Sequence, residues 1–156
     1  MHNTSKASPE QRKALNIYVK LIRASSSVTA RMHRHLRNDG LTGSQFGVLE
    51  ALHHLGPLCQ REIGNKILKT GGNMTLVIDN LEKRDLVKRV QDTQDRRYLK
   101  IHLTPRGQNL ISGVFLRHVG IAENVFAALD GDEQEQLGKL LKKLGRAEPD
   151  THLEPA

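Results

Sequence analysis

The chain has a single cysteine, Cys59, in 156 residues. One thiol excludes an internal disulfide and any zinc cluster built on cysteine pairs. Nowhere do about 18 apolar residues run together, so no segment reads as a membrane-spanning helix. The N-terminus also lacks the charged-then-apolar pattern of a signal peptide. These absences set the expectation of a cytoplasmic protein with no membrane partner. Equally absent are a glycine-rich nucleotide loop after a strand, a nucleophile elbow, an HExxH ligand pair and paired carboxylates on a rigid element. Without them the expectation is a non-enzyme that needs no cofactor. There is no internal repeat and no low-complexity segment.

What the chain does have is basic charge, unevenly spread. The formal net charge is +7, with 37% hydrophobic and 26% charged residues, a globular balance for one domain with a real core. Residues 1–39 carry +6, residues 40–59 carry −1, residues 60–106 carry +5 and residues 107–156 carry −3. A basic front with an acidic tail suits a polyanion-binding face with a separate back. Many proteins are basic without binding anything, so the motifs must carry the functional case.

Ser8, Pro9 and Gln11 read as an N-cap, a first-position proline and a capping-box partner. Beyond them Leu15, Tyr18, Val19, Ile22, Ser26, Thr29 and Leu36 share a face, predicting one long helix that ends near Asn38-Asp39-Gly40. The stripe turns polar at Ser25, Ser26 and Thr29. That is either a gap filled by water and small side chains or the wall of a ligand cavity, for which Ile22, Ser26, Thr29, His33 and Leu52 are the candidate residues. Thr42 and Gln45 cap a second helix, stopped by Gly56-Pro57. Cys59 and Glu62 take the same cap spacing and start a short helix through Ile67. Lys69-Thr70-Gly71-Gly72 breaks it, and Met74, Val77, Ile78 and Leu81 restart the helical period to about Arg84. Two short helices joined by a tight turn make a helix-turn-helix.

After Leu86 the period changes to two. Leu99, Ile101 and Leu103 alternate with Tyr98, Lys100 and His102, predicting a half-buried strand over 98–103. Its partner is Val87 to Gln91, which leaves Asp92 to Arg97 as a hairpin tip shaped by Asx-type bonds from Asp92 and Asp95. Thr104-Pro105 caps the next helix, which carries Leu110, Val114, Ile121 and Val125 on one side. Asp130 and Glu133 open the last helix, with its stripe of Leu137, Leu140, Leu141 and Leu144. Residues 147–156 read as a frayed tail. Both terminal helices have apolar faces, which can pack on each other or on a second copy of the chain.

The order of elements describes a mainly α fold with a small β-hairpin wing: a winged helix-turn-helix flanked by N- and C-terminal helices. Such modules lay the second helix of the pair in the major groove and send the wing to the backbone or minor groove. The start of that helix should then be small and polar, as Thr70, Gly71, Gly72, Asn73 and Thr75 are. Glycines admit close phosphate approach, Asn73 has the paired donor and acceptor that adenine presents, and Thr75 and Leu76 can meet a base edge. A plain turn also explains Gly71-Gly72, and a solvated charged loop also explains Arg96 and Arg97. Together with the basic footprint they favour double-stranded DNA as the partner.

Residues Leu41 to Gly107, including LEKRDLVKRV and DRRYLKIHLTPRG, resemble the winged-helix domain of the MarR family of bacterial transcriptional regulators. The surrounding helices resemble its layout too. The most specific part is D-x-R followed by an alternating strand and L-T-x-x-G, here Asp95, Arg97, Leu103, Thr104 and Gly107. By that resemblance Arg97 enters the minor groove and Arg96 is its phosphate neighbour. The chain departs from the family at Gly71 and Leu76, where basic residues are common, which leaves the operator sequence open. The resemblance further implies dimerisation helices over 8–39 and 105–146 around a DNA-binding part over 41–104. It implies a homodimer reading half-sites roughly 34 Å apart on an inverted repeat, at work on the nucleoid. Repression relieved by a small effector, phenolic or quinone-type, is the corresponding function.

Two other switches, and one other class, compete with that reading. His33, His54 and His118 can converge at a helix junction as a metal sensor, although the ligand spacing is weak and scattered helix-end histidines explain them as well. No metal is expected. Cys59 at a helix start is a candidate redox sensor, but a cap position does not establish reactivity. A non-specific architectural DNA-binding protein would share the charge, and only specificity separates it from a regulator.

Overall fold

The computed structural model describes residues 7–67 and 73–147. Thr70, Gly71 and Gly72, on which part of the recognition-helix expectation falls, and the tail beyond residue 147 lie outside the described residues.

Helix α1, Pro9–His33, starts as its cap residues require: the Gln11 N–H donates to Ser8 Oγ at 3.2 Å and Gln11 Oε1 accepts from the Ser8 N–H at 2.8 Å. The predicted helix to Asn38 is in fact two pieces. After His33 the chain tightens into a 3-10 turn, Arg34–Asp39, because Gly40 adopts φ +61 and its N–H returns to the Arg37 carbonyl at 3.1 Å. That tighter winding carries Leu36 into the core, 1% exposed, whereas no residue of α1 itself is buried.

Helix α2, Gly43–Leu55, is the central core element, with Phe46, Val48, Leu49 and Leu52 buried. It ends at Gly56, φ +76, before Pro57. A two-residue strand β1, Leu58–Cys59, follows and leads into α3, Gln60–Lys66. Helix α4, Met74–Lys83, is capped by Asn73, whose side-chain oxygen accepts from the Leu76 N–H at 3.3 Å. The buried Ile63 of α3 and Ile78 and Leu81 of α4 hold this pair on the core. Strands β2, Val87–Gln91, and β3, Leu99–Leu103, form the hairpin in the register Val87 to Leu103 through Gln91 to Leu99. Helix α5, Pro105–Phe126, starts on the Thr104 cap, and α6, Gly131–Gly145, on the Asp130–Glu133 capping box.

Two strand features differ from the sequence reading. The sheet has three strands in the order β1-β3-β2, with Leu58 opposite Ile101 and Cys59 opposite Lys100. Two residues are too few to show a period in sequence. The alternating face of β3 is also covered only at its base: Ile101 is 1% exposed while Leu99 is 51% exposed. Leu99 therefore does not anchor the strand, because the hairpin projects beyond the layer that buries Ile101.

Tight packing fixes the base of the hairpin. Asp85, with φ +55, turns α4 into β2, and its carbonyl accepts the Thr104 hydroxyl at 2.6 Å. Gly107 in the first turn of α5 lies so close to this corner that an added Cβ would stand 1.9 Å from the Leu86 carbonyl oxygen. Only glycine fits there without moving backbone.

Candidate nucleic-acid interface

The elements that a winged helix-turn-helix presents to DNA are the first turn of α4 and the hairpin tip. Asn73, Thr75 and Leu76 are all exposed at the start of α4, Leu76 to 54%. The three do not stand alike. Asn73 already spends an oxygen lone pair on the Leu76 N–H, so an adenine contact would have to use its remaining lone pair and its amide donors. Thr75 Oγ1 accepts from Gln60 Nε2 at 2.7 Å. Leu76 offers a bare apolar surface of the kind a thymine methyl packs against.

At the tip, the Asp92 carboxylate accepts from the Gln94 N–H at 3.0 Å and pairs with Lys100 at 3.2 Å. Asp95 accepts from the Arg97 N–H at 3.1 Å, and the Arg97 guanidinium forks onto both of its oxygens at 3.0 and 2.8 Å. These bonds hold both carboxyls below their usual range. The Gln94 N–H followed by Lys100 does so for Asp92, and the Arg97 side chain followed by its N–H does so for Asp95. Arg97 is 84% exposed on its side chain even while paired. Its direction is set by a rigid two-point contact, and its outer face is open to solvent. The neighbouring Arg96 is exposed, and its guanidinium has no partner among the described residues; its backbone carbonyl accepts from the Gln91 amide at 2.8 Å.

Wing and recognition element are tied together. Arg89 on β2 bonds Asp79 at 2.6 Å and Glu82 at 3.1 Å, both on α4. The single Arg89 charge offsets one of the two acidic charges it touches on α4. At the other end of α4, Arg84 donates to the carbonyls of Gly40 and Asp39 at 2.8 and 3.0 Å, and the Asp39 carboxylate receives Arg117 of α5 at 2.6 Å. Sequence alone did not point to these linkers. Asp39-Gly40 registered only as a helix end.

A cleft of about 460 Å³ is lined among others by His33, Phe46, Glu50, His54, Ile67 and His118. Of the five residues expected to line an effector pocket, His33 alone is there. Leu52 is 3% exposed and packs into the core, and Ile22, Ser26 and Thr29 stand exposed on α1. The overlooked lining had a signal: Phe46, Glu50 and His54 recur every four residues along one face of α2, and turn polar while the rest of the helix is core.

His33, His54 and His118 meet at this cleft, yet among the described residues no group of three His, Cys, Asp or Glu is placed to hold a metal ion. The rings of His33, His35 and Phe46 pack around His118, whereas His54 packs on His53 and Phe115. His35 Nε2 and His118 Nδ1 are 3.0 Å apart, and the His118 ring lies 4.5 Å from Phe46. His35 Nδ1 is buried with no hydrogen-bond partner among the described residues. Burial, then the Arg117 charge, pushes the His35 imidazole below its ordinary value against the pull of Asp39, and His33 adds to the downward push. Burial and the imidazoles of His35 and His33 lower His118 in the same way. Cys59 is half-buried, its N–H donating to Glu62 Oε2 at 2.7 Å.

A helix pair with an exposed reading edge, an arginine-tipped hairpin braced against it and flanking helices define a winged helix-turn-helix DNA-binding protein. The MarR family model matches residues 41–99. The HTH-type transcriptional regulator YkoM of Bacillus subtilis is 37% identical over 87% of this chain and 88% of its own length. MhqR of the same organism is a second HTH-type transcriptional regulator, 33% identical over 85% of this chain and 92% of its own. Among solved structures, Bordetella bronchiseptica BpsR superposes with a TM-score of 0.76 over 95% of this chain and 99% of its own, at 24% identity, a likeness of fold. The chain belongs to the MarR family, and it is a DNA-binding transcriptional regulator. No single helix among the described residues is long and apolar enough to cross a membrane.

Proposed function

We propose that the protein is a ligand-responsive repressor that binds an inverted-repeat operator as a homodimer in the cytoplasm. Thr70, Gly71, Gly72, Asn73, Thr75 and Leu76 read the major groove, Arg97 enters the minor groove, Arg96 meets phosphate, and Asp92 and Asp95 shape the wing. The dimer is assembled by residues 8–39 and 105–146, around a DNA-binding part spanning 41–104. Uncovered apolar surface supports that assembly: Leu15, Tyr18 and Ile22 of α1 and Leu140, Leu141 and Leu144 of α6 are each at least 45% exposed in the single chain.

The observation that carries the ligand response is the cleft. Its walls come from the end of α1, from α2, from α5 and from the end of α3 at Lys66 and Ile67, immediately before the segment that leads into α4. A guest there touches the flanking helices and the reading unit at once, which is the condition for shifting their relative populations. The lining suits a small aromatic ring with a polar group: Phe46 and three imidazoles for the ring, Lys66 for an anionic oxygen, Glu50 for a hydroxyl. The regulation of BpsR DNA binding by 6-hydroxynicotinic acid supports a guest of this size on this fold. Phenols and quinone-type compounds are the class to try.

Footprinting on the DNA upstream of the protein's own gene, with and without hydroquinone or 6-hydroxynicotinic acid, tests the proposal. Protection of an inverted repeat that fades with effector is the expected result. Protection unmoved by any such compound would refute the ligand response while leaving DNA binding in place.

A further inference from the structure

Gln60 opens α3, and Thr75 sits in the first turn of α4, 15 residues further on. Nothing in the sequence marks them as a pair, yet Gln60 Nε2 donates to Thr75 Oγ1 at 2.7 Å on the exposed side of the helix pair. The bond is not what holds the helices together, because the buried Ile63 and Ile78 do that. An exposed neutral hydrogen bond adds little to stability. Its consequence lies in orientation. A threonine hydroxyl has one proton, two lone pairs and a free rotor. Once a lone pair is taken by the Gln60 amide, the proton must point elsewhere, and neither side chain has another hydrogen-bond partner among the described residues.

We propose that Gln60 is a positioning residue that sets base specificity: by donating to Thr75 Oγ1 it makes Thr75 a directed donor, which reads an acceptor on a base edge in the major groove. Acceptors there are guanine N7 and O6, adenine N7 and thymine O4, while cytosine offers only a donor. The inference rests on α4 being the recognition helix, as proposed above. It adds a residue from the other helix of the pair to the reading surface.

The test is selection from a randomised duplex pool at fixed salt, using the 156-residue chain and its Gln60→Met, Thr75→Val and doubly substituted variants. The wild-type protein should enrich an inverted repeat in which one base pair of each half-site excludes cytosine at the position read. Each single variant should relax the preference at that pair by about fivefold or more and leave other positions as they were. The double variant should be no worse than either single one, since the two act as a unit. Additive losses would overturn the inference, because Gln60 would then touch DNA on its own account. A uniform fall in affinity that includes random duplex would overturn it too, marking a phosphate contact. Gln60→Glu keeps an acceptor and loses the donor, so it should relax the preference like Gln60→Met; a preference retained by Gln60→Glu would show that the proton runs the other way. If the wild-type chain enriches no sequence, the repressor reading fails instead.

Discussion

Arg97 concentrates the residue-scale chemistry. A guanidinium held through Nε and Nη2 by Asp95 is partly ordered before DNA arrives, so less entropy remains to be lost on docking. Arg97→Ala should weaken operator binding by about tenfold or more, with the thermal midpoint unchanged. Gel-shift titration and thermal melting check both. Gly107 is the opposite case, a residue with no reach toward DNA whose replacement should cost stability. Gly107→Ala drives a methyl group into the Leu86 carbonyl, and the unfolding free energy from urea titration should fall by about 3 kcal/mol. At this scale the sequence was legible where a residue serves its own neighbourhood. Ser8, Thr42, Thr104 and Asp130 declare caps through partners three residues away. Gln60 and Arg84 were not legible, because their partners lie 15 and 44 residues off and no local period connects them.

Among elements, the junction of α1, the 3-10 turn and α5 has a pH dependence whose sign can be worked out. His35 and His118 both have lowered proton affinity in the fold, and the unfolded chain restores it to about 6.5. The unfolded state therefore binds more protons below about pH 6.5, so the stability these groups permit is full above that value and falls as pH drops toward their lowered values. Urea midpoints at pH 7.5 and 5.5 should show the loss, and His118→Gln should diminish the difference. An unchanged difference would place the acid sensitivity elsewhere. Element order was readable from period and caps, since long amphipathic helices and a clean hairpin are strong patterns. The cleft itself was not legible: its lining includes the Phe46, Glu50 and His54 face of α2, and of the α1 candidates only His33 reaches it.

For the whole molecule, the uncovered leucines of α1, α5 and α6 make a prediction about assembly. Leu116 is 73% exposed and Leu141 45% exposed, apolar surface of a kind that a stable monomer seldom leaves open. Light scattering should report a dimer, and Leu141→Glu should shift it toward monomer. Operator affinity should fall with it, because each half-site contact would lose the effective concentration supplied by its twin. A monomer that retains full operator affinity would remove the dimer from the mechanism. Sequence showed these stripes but left open whether α1 and α6 cover each other or a second chain. The fold decides against the first, since neither helix buries a residue.

Specificity for sequence separates a regulator from a protein that merely binds the polyanion. The direct measurement is competition, in fluorescence anisotropy at about physiological salt, between the inverted repeat protected in the footprint and a random duplex of equal length. A preference of roughly a thousandfold or more is expected of a regulator whose α4 reads bases and whose wing fixes register. Equal affinity for the two duplexes would contradict the account, leaving a basic winged helix that holds DNA by charge alone.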